Sequence, residues 1–218
     1  MIKAVIFDMD GVLVDTEKYH EKAYRYVSKT AGAEITGKEI IKLKGVTALE
    51  IFKYLLKKHN IRENPKKYAL LKDKVYRSYL KNIKLLPGVL DLLKKLKKNK
   101  VKVALASSGS RLNVQFILKK LKIKKYFDAV IDGEQVKRGK PAPDVFLKAA
   151  EKLKVNPSEG IVIEDTNTGI IAGKKSGMFV VAVTTTFPKS KLKDADLVVD
   201  SLKELKIEII SKGGGEHR

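Results

Sequence analysis

Two carboxylates one residue apart, Asp8 and Asp10, follow the apolar run Val5-Ile6-Phe7 and precede Gly11. Charges at the end of a buried run are costly unless something compensates them. Hard divalent cations do so, because they take carboxylate oxygens. The plain alternative is that Asp8 and Asp10 open a turn that Gly11 completes. A second acidic pair, Glu164-Asp165, ends the run Ile161-Val162-Ile163. Its plain alternative is a helix start favoured by the helix dipole. Ser107 ends a third apolar run, and Lys140 stands in Gly139-Lys140-Pro141-Ala142-Pro143-Asp144. Alone, Ser107 reads equally as a helix cap, and Lys140 is one of forty lysines. Together the set suits phosphoryl transfer. A carboxylate can attack phosphorus and form an aspartyl-phosphate. Mg²⁺ held by carboxylates, with a lysine, neutralises the anions that meet there. A hydroxyl and backbone N–H groups can hold the remaining phosphoryl oxygens. A second carboxylate can protonate the leaving oxygen and later activate water.

These residues act together only if the chain brings them to one place. Residues 2–8 read as the first strand, and residues 17–31 then switch to helical spacing through Tyr19, Ala23, Tyr26, Val27 and Ala31, with Gly32 as the stop. Thr36 with Glu39 and Thr47 with Glu50 read as capping boxes, and Asn64-Pro65 as a cap followed by proline at the first helical position. Tyr68, Leu71, Val75 and Tyr79 mark one face of a fourth helix. Residues 16–82 are therefore expected to be an all-helical insert. Leu86-Pro87-Gly88 returns the chain to strands alternating with helices. The strands are expected at 101–106, 127–131, 161–163, 179–183 and 197–199. The helices between them carry the stripes Leu90, Leu93, Leu96; Val114, Ile117, Leu118, Leu121; and Phe146, Leu147, Ala150, Leu153. Another helix spans 166–176, and Ser201 with Glu204 forms a third capping box. This alternation predicts an α/β fold, a Rossmann-like, mostly parallel sheet with helices on both faces. Residues 1–15 and 83–212 would form that core domain, 16–82 a helical cap domain, and 213–218 a flexible tail. Ligands in such sheets bind beyond the carboxyl ends of the strands. Asp8, Asp10, Ser107, Glu164 and Asp165 all fall at such ends.

Composition narrows the classes. The chain has 218 residues, enough for a substantial core, and no cysteine, so thiolate metal sites, disulfides and cysteine nucleophiles are excluded. No apolar run approaches the roughly 18 residues of a membrane span. The opening residues lack the charged-then-apolar pattern of a leader. A cytoplasmic protein is expected. Lys and Arg number 46 against 25 Asp and Glu, a net charge of +21. Forty of the 46 are lysine, and only two glutamines are present. That balance fits the lysine-rich surface of a protein from a thermophile. A nucleic-acid-binding role is the alternative. Two features argue against it: the bidentate arginine fork is scarce, and the lysines spread over several helices with no aromatic interleaving. The positive field still favours small phosphorylated anions.

The chain resembles the haloacid dehalogenase-like hydrolases along nearly its whole length. The resemblance rests on four motifs in order: Asp8-Met9-Asp10-Gly11-Val12, Ser107 in Leu105-Ala106-Ser107-Ser108, Lys140 in Lys140-Pro141-Ala142-Pro143-Asp144, and Glu164-Asp165. Within the family it is similar to β-phosphoglucomutase and the small phosphosugar phosphatases. The resemblance implies Asp8 as nucleophile, Asp10 as general acid/base, and Ser107, Ser108 and Lys140 as substrate holders. It implies Mg²⁺ bound by Asp8, the backbone carbonyl of Asp10, and Asp165, with Glu164 near or in the shell. The helical insert would be the cap, acting on a small phosphorylated substrate in a monomeric enzyme. His20, near the insert's start, reads as structural or as an aid to closure.

Branches of the family separate on single residues. Dehalogenases of the family lack the second aspartate, which is present here as Asp10. No lysine in the insert maps convincingly onto the Schiff-base lysine of phosphonatases. The mutase is the serious competitor, since Asp15-Thr16 with Tyr19-His20 and Leu43-Lys44-Gly45-Val46 resemble its cap segments. Its loop continues to an arginine that grips the second phosphate, where this chain has Ala48. That difference favours hydrolysis of a sugar or polyol phosphate. Arg111 would be a substitute grip, or simply an exposed helix-start arginine. A calcium loop fails at Val12 and Tyr19, no Walker-type glycine loop is present, and His20 and His59 lack metal-pair spacing.

Overall fold

The structure is a computed structural model that describes residues 2–205. The chain runs β1 (Ala4–Phe7), then four helices, α1 (Glu17–Thr30), α2 (Gly37–Lys42), α3 (Ala48–Lys58) and α4 (Pro65–Tyr79). It continues as α5 (Val89–Lys98), β2 (Lys102–Ala106), α6 (Arg111–Lys120), β3 (Ala129–Ile131), α7 (Asp144–Leu153), β4 (Gly160–Glu164), α8 (Asn167–Lys175), β5 (Phe179–Val183) and β6 (Leu197–Val199). The six strands form one parallel sheet in the order β3-β2-β1-β4-β5-β6. This is the expected doubly wound sheet. Strand order reverses between β1 and β4, so the crevice beyond their carboxyl ends is the natural ligand site.

Period-two alternation explains the two cores. Val5, Phe7, Leu105 and Ile163 face one side, against Leu93 and Leu96 of α5 and Ile117 and Leu118 of α6. Ala4, Ile6, Ala104, Ala106 and Ala182 face the other, against Phe146 and Ala150 of α7 and Ile170 of α8. Small alanines on that second face let α7 and α8 approach the sheet closely.

The helical insert has a core of its own, built from Val27, Ile51, Phe52, Leu55 and Leu56 with Tyr24 and Tyr68. Thr36 and Thr47 each accept from the N3 backbone while Glu39 and Glu50 reach back, so both capping boxes form. Asn64 accepts from Lys66 N ahead of α4. The third box also forms, but opens only a 3-10 turn at Leu202–Glu204.

Several expectations shift. Tyr26 is 55% exposed, because α1 turns Ala23, Tyr24 and Val27 inward instead. Leu90 and Leu147 are exposed at the edges of their stripes. The buried face of α4 is Tyr68, Ala69, Lys72, Asp73 and Tyr76, turned from the expected apolar face. Lys72 and Asp73 tolerate burial because polar partners meet them, as the site shows. The expected tail at 213–218, and residues 206–212 of the core, lie outside the described residues.

Candidate active site

The chain leaves β1 through a tight loop. Asp8 N donates to Ile163 O at 2.9 Å, which ties the loop to β4. Leu13 N and Val14 N both donate to Met9 O, and Gly11 N donates to Val14 O at 2.7 Å. Gly11 needs its positive φ of 77°, and a Cβ there would collide with the Asp165 carboxylate. Val14 then bridges antiparallel to Leu85, and Leu86 N donates to Leu13 O at 2.9 Å. The stretches that leave and regain the core thus lie side by side.

Asp8, Glu164 and Asp165 are buried together, and each offers a carboxylate oxygen within 4.8 Å of the others. Lys140 lies between the loops, with Nζ 2.5 Å from Asp8 Oδ1 and 2.5 Å from Glu164 Oε1. Glu164 Oε2 accepts from Asp165 N at 2.8 Å, Thr166 N at 2.8 Å and Thr166 Oγ1 at 3.0 Å. Glu164 is therefore fully engaged in holding Lys140 and the start of α8. Asp165 is the opposite case: both its carboxylate oxygens are buried without a hydrogen-bond partner. An orphaned buried carboxylate beside two others fits a bound hard cation. Burial, with the charges of Glu164 and Asp8, pushes Asp165 well above the usual carboxylate range. Burial likewise pushes Asp8 up to about 8, with Glu164 and Asp10 adding to it and Lys140 opposing. Burial alone would lower Lys140, but Asp8 and Glu164 outweigh it and raise its pKa.

Asp10 points toward the insert. Its Oδ1 accepts from Thr16 Oγ1, from Tyr76 OH at 3.1 Å, and from His20 Nε2 at 3.2 Å. Oδ2 has no hydrogen-bond partner among the described residues. Burial raises Asp10, but His20, the Thr16 hydroxyl and Lys72 outweigh it and bring it to about 2. Lys72 Nζ lies 2.8 Å from His20 Nδ1 and 3.6 Å from Asp73 Oδ1, and sits over the rings of Tyr24 and Tyr76. An ammonium only donates, so His20 Nδ1 accepts and Nε2 carries the proton given to Asp10. His20 also stacks on Tyr76, with centroids 4.0 Å apart.

These side chains line a cleft with about 810 Å³ of space, its open mouth included, between the insert and the strand ends. Of the expected residues, Asp8, Asp10, His20, Ser108, Lys140, Glu164 and Asp165 line it; Ser107 and Arg111 do not. Ser107 is buried, and its Oγ accepts from Gly109 N at 3.0 Å. Ser108 Oγ donates to Gly45 O at 2.7 Å, and Thr168 Oγ1 to Lys44 O at 2.6 Å, so both hydroxyls dock the insert's Leu43-Lys44-Gly45-Val46 loop. Arg111 is held outward by Asp132, 3.4 Å from Nε, and does not reach the cleft as a grip. Sequence reasoning missed Thr16, Lys72, Tyr76 and Asn113. The signal was helical spacing: His20 and Tyr24, and Lys72 and Tyr76, are each four apart on one helix face.

Comparison with known proteins agrees with this geometry. A family model described as haloacid dehalogenase-like hydrolase matches residues 5–183. β-Phosphoglucomutase of Bacillus subtilis is 35% identical over 225 residues, covering 100% of this chain and 97% of that one. A phosphorylated carbohydrates phosphatase of Thermotoga maritima is 36% identical over 181 residues, covering 81% of this chain and 82% of its own. A crystal structure of β-phosphoglucomutase from Clostridium difficile superposes with a TM-score of 0.89 at 36% identity, covering 100% and 99% of the two chains. The four motifs, the sheet order that unites them and these matches place the chain in the haloacid dehalogenase-like hydrolase family.

Proposed function

We propose that this protein is a Mg²⁺-dependent phosphatase of small phosphorylated metabolites, sugar or polyol phosphates, acting through an aspartyl-phosphate. The observation that carries this reading is the orphaned carboxylate of Asp165 beside Asp8, whose Oδ1 is already held by Lys140. Asp8 Oδ2, without a protein partner, attacks phosphorus as the bond to the leaving oxygen breaks. Asp10 Oδ2 delivers the proton to that oxygen. The arriving phosphate's negative charge favours the protonated form of Asp10 needed for this step. Water then attacks the phosphorus, Asp10 takes its proton, and Asp8 is regenerated with inorganic phosphate. Lys140 offsets the charge that collects on Asp8. Asp8, Asp165 and the Asp10 carbonyl would hold magnesium, whose positive charge the phosphoryl oxygens require; Glu164 supports that shell while fixing Lys140. The helical insert serves as a cap that excludes water.

The mutase reading draws on the B. subtilis and C. difficile relatives. Against it, Ala48 offers no second grip, and every lysine of the cleft already faces an acidic or histidine partner. Lys44 lies 2.7 Å from Glu17, and Lys72 and Lys140 are engaged as described. Asp8, Asp10, Glu17, Asp73, Glu164 and Asp165 outnumber those three lysines in the wall, so a substrate with two phosphates meets no unpaired cation. Phosphate release from sugar and polyol phosphates with Mg²⁺, abolished in Asp8→Asn, is the expected result. Glucose 6-phosphate formed from β-glucose 1-phosphate without phosphate release, followed by phosphorus NMR, decides for the mutase.

The lysine-rich surface supports a thermophilic source; a cytoplasmic, monomeric enzyme is a further part of this proposal. No helix among the described residues is long and apolar enough to cross a membrane.

A further inference from the structure

We infer that Asn113, oriented by Arg77, selects hydroxyl-bearing leaving groups; this inference rests on the phosphatase reading. Asn113 stands in the first turn of α6, is 1% exposed, and lines the cleft. Its Oδ1 accepts from Arg77 Nη1 at 2.7 Å. A guanidinium has no acceptor, so the amide cannot be turned the other way: oxygen faces Arg77 and Nδ2 faces elsewhere. No acceptor for Nδ2 exists among the described residues. Beside it, Ser110 Oγ is buried without a partner and lines the same wall. One amide donor and one hydroxyl, both unanswered by protein, therefore face the cleft from the core side.

What these groups seek is an uncharged oxygen that both accepts and donates. A sugar or polyol hydroxyl does both. Ile35, Leu43, Val46, Ala48 and Ile51 make part of the insert's wall apolar, and its polar groups Lys44 and Lys72 already face Glu17, His20 and Asp73. Arg77 belongs to α4 of the insert and Asn113 to α6 of the core. The donor is thus aimed only while the insert sits on the core, alongside the contacts of Ser108 and Thr168. Arg77 is a positioning residue, and Asn113 touches the leaving group.

The test measures kcat and KM with saturating Mg²⁺ for fructose 1-phosphate, sorbitol 6-phosphate and glycerol 3-phosphate, and for p-nitrophenyl phosphate, which has no hydroxyl. Loss of one neutral hydrogen bond is expected to cut the preference of Asn113→Ala for the hydroxylated esters by roughly tenfold, mostly through KM. Arg77→Met should show the same signature without touching the cleft wall, and Arg77→Lys should restore the preference. Equal losses on all four esters, or no loss, would overturn the inference while leaving the phosphatase intact. A wild-type enzyme inactive on all four would overturn both.

Discussion

Gly11→Ala separates backbone strain from damage to the proposed metal site. Gly11 has φ of 77°, where an L-residue costs about 1–2 kcal/mol. A Cβ there would also overlap Asp165 Oδ2 and Cγ and reach 3.0 Å from Thr186 Oγ1. Gly32, at the end of α1, has a similar φ of 69°, but the nearest atom to an added Cβ is Ile61 Cδ1 at 3.9 Å. Gly32→Ala therefore carries the strain alone. In a chain of this size that is a fall in Tm of about 2–8 °C, with turnover unchanged. Gly11→Ala carries the same strain plus overpacking, which adds about 1–3 kcal/mol if Asp165 holds its place. If Asp165 instead swings aside, stability recovers but a ligand is displaced. A shift of about 1 Å there costs roughly 100-fold in rate. The assay pairs thermal denaturation with a Mg²⁺ titration of phosphate release for both variants. If Gly11→Ala matches Gly32→Ala in both readouts, the contact between Gly11 and Asp165 has no functional weight and the reasoning fails.

Metal and pH should be linked. Asp8 rises from 3.8 to about 8 in the fold, so between those values the folded state holds a proton that the unfolded chain has released. Stability without metal should then fall as pH climbs from 4 to 8, and added Mg²⁺ should restore more of it at pH 8 than at pH 5. A metal-free Tm that rises over this range contradicts that. Tyr76→Phe removes one hydrogen bond to ionised Asp10 while keeping the stack on His20. The alkaline limb of kcat/KM, which follows loss of the Asp10 proton, should move to higher pH, and stability should drop by about 1.5–3 kcal/mol. An unmoved limb would show that Tyr76 does not tune Asp10.

The core sheet was legible because each strand is a short apolar run ending at a polar residue, and the sheet places those ends on one rim. The carboxylates of the candidate site and Lys140 were legible for the same reason: they mark where strands or loops stop. Residues that depend on contact between the insert and the core were not. Lys72 and Asp73 look like solvated charges on a lysine-rich helix. Only the fold shows that His20 meets Lys72 across 52 positions of sequence. Ser107 and Arg111 are the reverse case: neither lines the cleft. Their loop carries the expected residues, but its turn sends the Ser107 hydroxyl to Gly109 and the Arg111 side chain to Asp132. Motif spacing identifies a loop, not the directions in which its side chains leave it.

The antiparallel bridge between Val14 and Leu85, with Leu86 N on Leu13 O, fixes how the four-helix insert is attached. From the sheet's standpoint everything between those residues is the loop of one hairpin, pinned at its neck. The entropy of closing such a loop grows only slowly with its length. Lengthening, shortening or exchanging the helices therefore burdens the sheet little, provided the neck keeps its register. Asp8, Lys140, Glu164 and Asp165 lie below that neck; Lys72 and Arg77 lie above it. The two sides of the neck also meet through Ser108, Thr168 and the Arg77–Asn113 pair, so a change in the insert's helices leaves the sheet's fold alone while altering what faces the cleft.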